Sequence, residues 1–189
     1  MRVVGGTWRG QALDAPEGRG TRPTTDRMRE TIASMVLSAQ GLDLAPCAVL
    51  DAFAGSGGVG IELLSRGARS CTFVERNRRA AGVVQRNCKR LGIDRTSWHV
   101  LVGDALRLAE QAMAGGPFDI VFLDPPYAMD AAEVARLLLA LRASGNLAPG
   151  CLVTYERAST APELVVAGFE ALRSRSHGGT SIDMLRMGE

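Results

Sequence analysis

The residues with the clearest chemical meaning are Asp124-Pro125-Pro126-Tyr127, which end an apolar run from Phe118 to Leu123. Two consecutive prolines remove two backbone donors and fix φ, so a carboxylate and neighbouring carbonyls project in a rigid array of acceptors. Such an array suits a substrate amine. Asp124 and the Pro125 carbonyl can each accept an N–H from a planar –NH2, which leaves the nitrogen lone pair turned toward an electrophile. Tyr127 is placed to stack on the ring that carries the amine. A plain strand-ending turn with an Asp cap gives no reason for the two prolines and the tyrosine together.

A second motif lies upstream. Asp51-Ala52-Phe53-Ala54-Gly55-Ser56-Gly57-Gly58-Val59-Gly60 follows the apolar run Ala48-Val49-Leu50, and Gly55, Gly57 and Gly60 satisfy G-x-G-x-x-G. Glycines at a strand-to-helix turn let the backbone approach a ligand closely at a helix N-terminus. They also serve plain helix–strand packing, so the spacing alone is weak. Glu75, 20 residues after Gly55, ends the next apolar run and can accept hydrogen bonds from ribose hydroxyls. Asp104, in Val102-Gly103-Asp104-Ala105, can accept the exocyclic amine of an adenine ring; a helix N-cap at the same position is a compatible role. The glycines do not separate a dinucleotide from S-adenosylmethionine. Asp104 and the 124–127 array favour the latter, since nicotinamide chemistry has no use for Asp-Pro-Pro-Tyr.

Positioning these groups requires a particular set of elements. Strands are predicted at 48–53, 70–75, 98–102, 118–123, 152–156, 164–173 and 182–187, and helices at 25–39, 58–67, 77–91, 104–114 and 131–143. Strands alternating with helices of this length imply a parallel sheet covered on both faces, and the closing strands imply an antiparallel hairpin at one edge. The acids at 51, 75, 104 and 124 then gather at the carboxyl ends of four strands. Residues 1–24 break the rhythm and read as a small N-terminal β-hairpin extension, followed by a main domain over 25–189. In the helix at 77–91, Ala80, Val84 and Leu91 share one face while Arg79, Arg86 and Arg90 share another, either a phosphate-binding patch or a solvated surface.

Composition narrows the class. The 189 residues are 46% apolar and 22% charged, which fits one self-sufficient domain and argues against disorder. No apolar run reaches membrane-spanning length, and the first residues lack a signal-peptide core, so a cytoplasmic protein is expected. Cys47, Cys71, Cys88 and Cys151 show no C-x-x-C pair, and His99 and His177 have no second ligand type at metal spacing. Reduced thiols and no metal are expected. The net charge of +2 hides a division: residues 66–95 carry nine basic groups against two acids, whereas 96–189 carry seven against eleven. A basic region of this kind can steer a polyanion. The excess of Arg over Lys reads chiefly as the signature of a GC-rich genome, with a demand for Arg–phosphate contact as the alternative.

The order Asp51…Gly57, Glu75, Gly103-Asp104, Asp124-Pro-Pro-Tyr127 resembles the amino-group class of S-adenosylmethionine-dependent methyltransferases. Met1-Arg2-Val3-Val4-Gly5-Gly6-Thr7-Trp8-Arg9-Gly10 and Arg22-Pro23-Thr24-Thr25-Asp26-Arg27-Met28-Arg29-Glu30 narrow this to the bacterial 16S ribosomal RNA guanine-N2 methyltransferase family. The resemblance spans nearly the whole chain; Gly178-Gly179-Thr180-Ser181-Ile182 matches less clearly. It implies a Rossmann-like methyltransferase fold, S-adenosylmethionine as cofactor, and 16S rRNA within the small subunit, or an assembly intermediate, as partner. The implied chemistry is transfer of a methyl group to one guanine N2 near the ribosomal P site. A monomer is expected, because the sequence carries no obvious association motif. The expected catalytic residues are Asp124, Pro125, Pro126 and Tyr127. The expected cofactor residues are Thr25, Asp51, Phe53, Ala54, Gly55, Ser56, Gly57, Glu75, Arg76, Gly103, Asp104, Ala105 and Asp124. RNA contacts are expected from Arg9, Arg22, Arg27 and Arg29, and Trp8 either stacks on a base or packs over the hairpin. An adenine-N6 methyltransferase and a non-catalytic RNA-binding assembly factor are the competing functions.

Overall fold

A computed structural model of the chain describes residues 1–15, 25–126 and 128–188. The short apolar runs become inner strands because the residues of each alternate between two covered faces. β1 (Ala48–Asp51), β2 (Ser70–Glu75), β3 (Trp98–Val102) and β4 (Phe118–Leu123) pair in parallel, and β5 (Leu147–Ala158) joins them beside β4. β6 (Phe169–His177) and β7 (Thr180–Met187) complete the edge with antiparallel pairings, giving one seven-stranded sheet in the order β3-β2-β1-β4-β5-β7-β6. The expected parallel sheet with an antiparallel edge hairpin is therefore present.

Helices α1 (Asp26–Ala39), α2 (Gly58–Ser65) and α3 (Arg78–Arg90) cover one face, where Ile32, Val36, Ile61 and Val84 pack over Val49, Phe73, Ile120 and Met184. Helices α4 (Ala105–Ala109) and α5 (Ala131–Ala143) cover the other, where Val134, Leu137 and Leu141 pack with Leu50, Val121 and Val153. Along β1 and β4, neighbouring residues alternate between the two layers, as the strand period requires. A capping box formed by Asp130 and Glu133 starts α5. Among the described residues, no helix is long and apolar enough to cross a membrane. All four cysteines are buried free thiols.

Four elements differ from expectation. The strand expected over 152–156 runs from Leu147 to Ala158, because Leu147 pairs with Phe118 across an irregularity in the ladder and Arg157 and Ala158 pair with Ser181 and Thr180. The helix expected over 104–114 ends at Ala109. Buried Asn146 explains this: its amide accepts from Met113 N (2.8 Å) and donates to Gln111 O (2.8 Å), satisfying backbone groups that would otherwise need a longer helix. The strand expected over 164–173 instead begins at Phe169, after Gly168 turns the chain with φ +81°. Leu164 and Val166 are buried core residues outside any strand. The described part of the N-terminal segment folds back through a single bridge between Arg2 and Ala12, and buries Val3 and Leu13 in the layer of α1, α2 and α3.

Candidate active site

The chain winds outward from β1 to β2 and β3, then crosses back to β4 and β5, so the sheet order reverses between β1 and β4. Connections from these two neighbours leave toward opposite faces, which opens a crevice beyond their carboxyl ends. The glycine loop borders the crevice on one side, and Asp124-Pro125-Pro126 on the other. Backbone bonds brace its floor: Ala52 N donates to Phe122 O (3.1 Å), Ala54 N to Val74 O (2.9 Å) and Gly103 N to Glu75 O (3.1 Å).

The three glycines of the motif do different work. Gly55 has φ +54°, and nothing lies within 4 Å of the place a Cβ would occupy, so its backbone borders open space. Gly57 adopts φ +81° at the N-cap of α2. Gly60 is a packing residue, because a Cβ there would stand 2.4 Å from Phe73 and 2.6 Å from Cys71. Gly60→Ala is expected to cost about 1–3 kcal/mol through overpacking. An unchanged thermal midpoint would remove that role.

The acids at the strand ends are held firmly. Glu75 reaches back to the glycine loop, accepting from Gly55 N (2.9 Å) through one oxygen and from Asn77 N (2.8 Å) through the other. Each oxygen keeps a lone pair for a ligand. Asp104 caps α4 by accepting from Arg107 N (3.2 Å) and stays exposed. Asp51 lies deeper, 1% exposed, with Oδ2 accepting from Gly60 N (3.1 Å). Its Oδ1 is buried with no hydrogen-bond partner among the described residues. Burial first, then the negative charges of Asp124 and Glu75, push its carboxyl up to about 7, against the pull of the Gly60 N–H. The fold therefore holds a proton that the unfolded chain releases near the ordinary value of 3.8. Stability of the unliganded protein should fall as pH rises from that value to about 7. In pH-resolved denaturant unfolding, Asp51→Asn should flatten this slope; an unchanged slope would remove Asp51 as its source.

The other expected residues fall in varied places. Phe53, Asp124 and Pro125 are half-buried at the crevice, and Pro126 is exposed, its carbonyl accepting from Met129 N (2.9 Å). Ala54, Ser56 and Ala105 are buried, and Arg76 is exposed beside Glu75. Thr25 caps α1 by accepting from Met28 N (3.2 Å). Arg9 and Arg27 are exposed, as a phosphate contact requires. Tyr127 and Arg22 lie outside the described residues. Trp8 packs against the core.

Arg29 is a correction. It is 1% exposed, and its guanidinium donates to Arg2 O (2.7 Å) and Asp26 Oδ1 (2.7 Å), so it serves the junction of α1 with the N-terminus rather than a phosphate. Its position gives a sequence signal, since Arg29 lies on the same helical stripe as Ile32, Ala33 and Val36. On α3, Arg90 is likewise engaged, pairing with Asp14 at 2.8 Å and donating to Ala12 O.

Three further residues tie the N-terminal segment to α2 and to the glycine loop. Glu62, 1% exposed, accepts from Val4 N (2.8 Å), Gly5 N (2.8 Å) and Arg66 Nε (2.8 Å). Ser65 Oγ donates to Gly5 O (2.6 Å) and accepts from Trp8 N (3.0 Å). Asn87 is fully buried: it accepts from Asp14 N (2.9 Å) and Arg90 Nη2 (3.2 Å), and donates to Asp14 O (3.1 Å) and Ser56 O (3.1 Å). Its amide thus uses both donors and both acceptors, joining the N-terminal segment to the glycine loop. Two of the three carry a sequence signal, Glu62 as the lone charge in an otherwise uncharged α2 and Asn87 as a polar residue in line with Ala80, Val84 and Leu91.

Residues 1–186 match the model of a family described as conserved hypothetical protein 95. Ribosomal RNA small subunit methyltransferase D of Haemophilus influenzae is 32% identical over 178 residues, covering 94% of this chain and 89% of that protein. The protein of the same name from Escherichia coli K12 is 36% identical over 160 residues, covering 82% of this chain and 74% of its own length. Among solved structures, Escherichia coli yhhF superposes with a TM-score of 0.80 at 26% identity, covering 100% of this chain and 98% of that one.

Proposed function

The chain belongs to the conserved hypothetical protein 95 family, and from that membership we propose that it methylates the exocyclic N2 amine of one guanine in 16S ribosomal RNA, using S-adenosylmethionine. The observation that carries this reading is the pairing, across one crevice, of an open glycine cradle with a proline-rigidified acceptor array. The cradle fits the cofactor on three counts. Gly55 borders open space, Glu75 keeps acceptor capacity beside it, and Asp51 holds a buried oxygen without a partner below. A cationic ligand relieves the crowding of Asp51, Glu75 and Asp124, so its affinity should weaken as pH falls through about 7.

When bound, S-adenosylmethionine supplies a methyl group on a sulfonium, already a good leaving group. The protein's task is then placement and charge stabilisation. Guanine N2 is a poor nucleophile because its lone pair is delocalised into the ring. Asp124 and the Pro125 carbonyl accept its two N–H bonds, hold the nitrogen in line and favour its pyramidal form as positive charge develops. The carboxylate of Asp124 or water takes the departing proton, and neither needs to be a strong base because the alkylated nitrogen is very acidic. The base must be unstacked to enter, which a hairpin loop allows at lower cost than a duplex. Tyr127 stacks on it, and Arg9, Arg22 and Arg27 hold flanking phosphates. Thr25, Phe53, Arg76, Gly103 and Asp104 complete the cofactor contacts. The chain acts as a monomer, and a ribosomal substrate places the reaction in the cytoplasm.

The reading is tested by supplying labelled S-adenosylmethionine together with undermethylated small subunits or naked 16S rRNA. Label should enter the rRNA. No incorporation into either substrate, despite cofactor binding, would reject enzymatic function in favour of an RNA-binding assembly role.

A further inference from the structure

Strand β6 is the outer edge of the sheet, and from Glu170 to His177 every residue is exposed. It packs against β7, and among the described residues no helix makes substantial contact with either of its faces. Its composition stands out locally. Residues 96–189 carry more acids than bases, yet 171–182 contain Arg173, Arg175 and His177 and no acid.

The register sets where these side chains stand. Arg173 pairs with Met184 and Arg175 with Ile182, so both arginines share the sheet face that carries α1 and exposed Arg27. The intervening serines are engaged on the opposite face, Ser174 Oγ with Asp183 (2.7 Å) and Ser176 Oγ with Ser181 Oγ (2.8 Å). Among the described residues, neither Arg173 nor Arg175 forms an ion pair, whereas Arg157 nearby is tied to Asp183 at 2.6 Å. Leu123 pairs with Tyr155, Glu156 with Ile182, and Ile182 with Arg175. Arg175 is therefore level with Asp124, three strand spacings away, about 14 Å. The β6–β7 turn projects at the same end of the sheet as the crevice.

We propose that β6 and its turn form a second RNA contact, in which Arg173 and Arg175, with His177 beside them, hold phosphates on the side of the crevice away from the N-terminal segment. This rests on the RNA-substrate reading above. Arginine suits the task because it remains charged and donates to phosphate in a planar fork. Arginines on an edge strand also discourage pairing with another sheet. That role, however, does not ask for the arginines to stand toward the reactive end of the strand, with its one acid, Glu170, at the other end opposite Arg186.

The test compares R173E/R175E with R69E/R142E, which makes the same charge change at the opposite end of the sheet. Binding to naked 16S rRNA and to undermethylated small subunits is measured over a salt series, alongside S-adenosylmethionine affinity and thermal midpoint. R173E/R175E should weaken RNA binding by about tenfold or more and flatten the salt dependence by about two phosphate contacts. Cofactor affinity and midpoint should stay unchanged, and R69E/R142E should resemble the unaltered protein. R173A and R175A singly should each remove about one contact from the slope, which preserves the test if the double variant folds poorly. If the unaltered protein binds and methylates rRNA while R173E/R175E matches R69E/R142E, the β6 contact is wrong and the RNA reading stands. If the unaltered protein shows no salt-dependent RNA binding, both are wrong.

Discussion

Asp124→Ala is expected to lower methyl transfer by about 100- to 1000-fold, the scale on which removing one preorganised electrostatic partner acts. S-adenosylmethionine affinity should stay within about tenfold of the unaltered value, since Glu75 and the glycine loop remain in place. The two effects separate because Asp124 meets the amine, and its hydrogen bonds strengthen as the nitrogen gains charge. Asp124→Asn keeps the shape but turns one acceptor into a donor facing N–H, so it should recover little. Either change also removes a negative charge that raises the carboxyl of Asp51, so the pH at which cofactor binding weakens should move down. Single-turnover kinetics with a parallel cofactor titration provide the check. Methylation at the unaltered rate in Asp124→Ala would remove the residue from the reaction.

The largest effect on stability is expected at Glu62. Its buried carboxylate is shared by two backbone N–H groups and the Arg66 guanidinium, with a separation of 58 residues to Val4. Glu62→Ala leaves these donors buried or half-buried with nothing to accept them, and strands the charge of Arg66. Removing one partner of a buried charged network costs about 3–5 kcal/mol. For a chain of this size that lowers the midpoint by roughly 10 °C. Glu62→Gln keeps one acceptor but presents an amide to the remaining N–H, so it should fall between. Thermal unfolding of the pair decides; if Glu62→Ala shifts the midpoint by less than about 2 °C, the N-terminal segment is held by its apolar contacts instead. The same loss would loosen the segment that carries Arg9, making RNA affinity a second readout.

The elements most legible in sequence were those whose limits are set by neighbouring residues. β4 stops where the prolines begin, and α5 starts at the capping pair Asp130 and Glu133. β2 and β3 run for the lengths their apolar patterns indicate. The mismatches arise from long-range contacts. α4 ends early because Asn146 supplies partners from over 30 residues away. β6 starts late because Gly168 redirects the chain. Of the candidate site, the strand-end acids could be placed from sequence, because a parallel sheet delivers every carboxyl end to one side. Their individual environments could not: Asp51 is turned inward onto Gly60, while Asp104 stays in solvent. Arg29 was misread for the same reason. A basic segment suggests phosphate contact, but the Arg2 carbonyl and Asp26 draw this guanidinium into the core.

The most direct measurement is the identity of the methylated nucleoside. After reaction of the purified protein with S-adenosylmethionine and undermethylated small subunits, the 16S rRNA is digested to nucleosides and resolved by mass spectrometry. N2-methylguanosine from a single site is the expected product, with none formed by Asp124→Ala. N6-methyladenosine would contradict guanine as the base held by Asp124 and the Pro125 carbonyl.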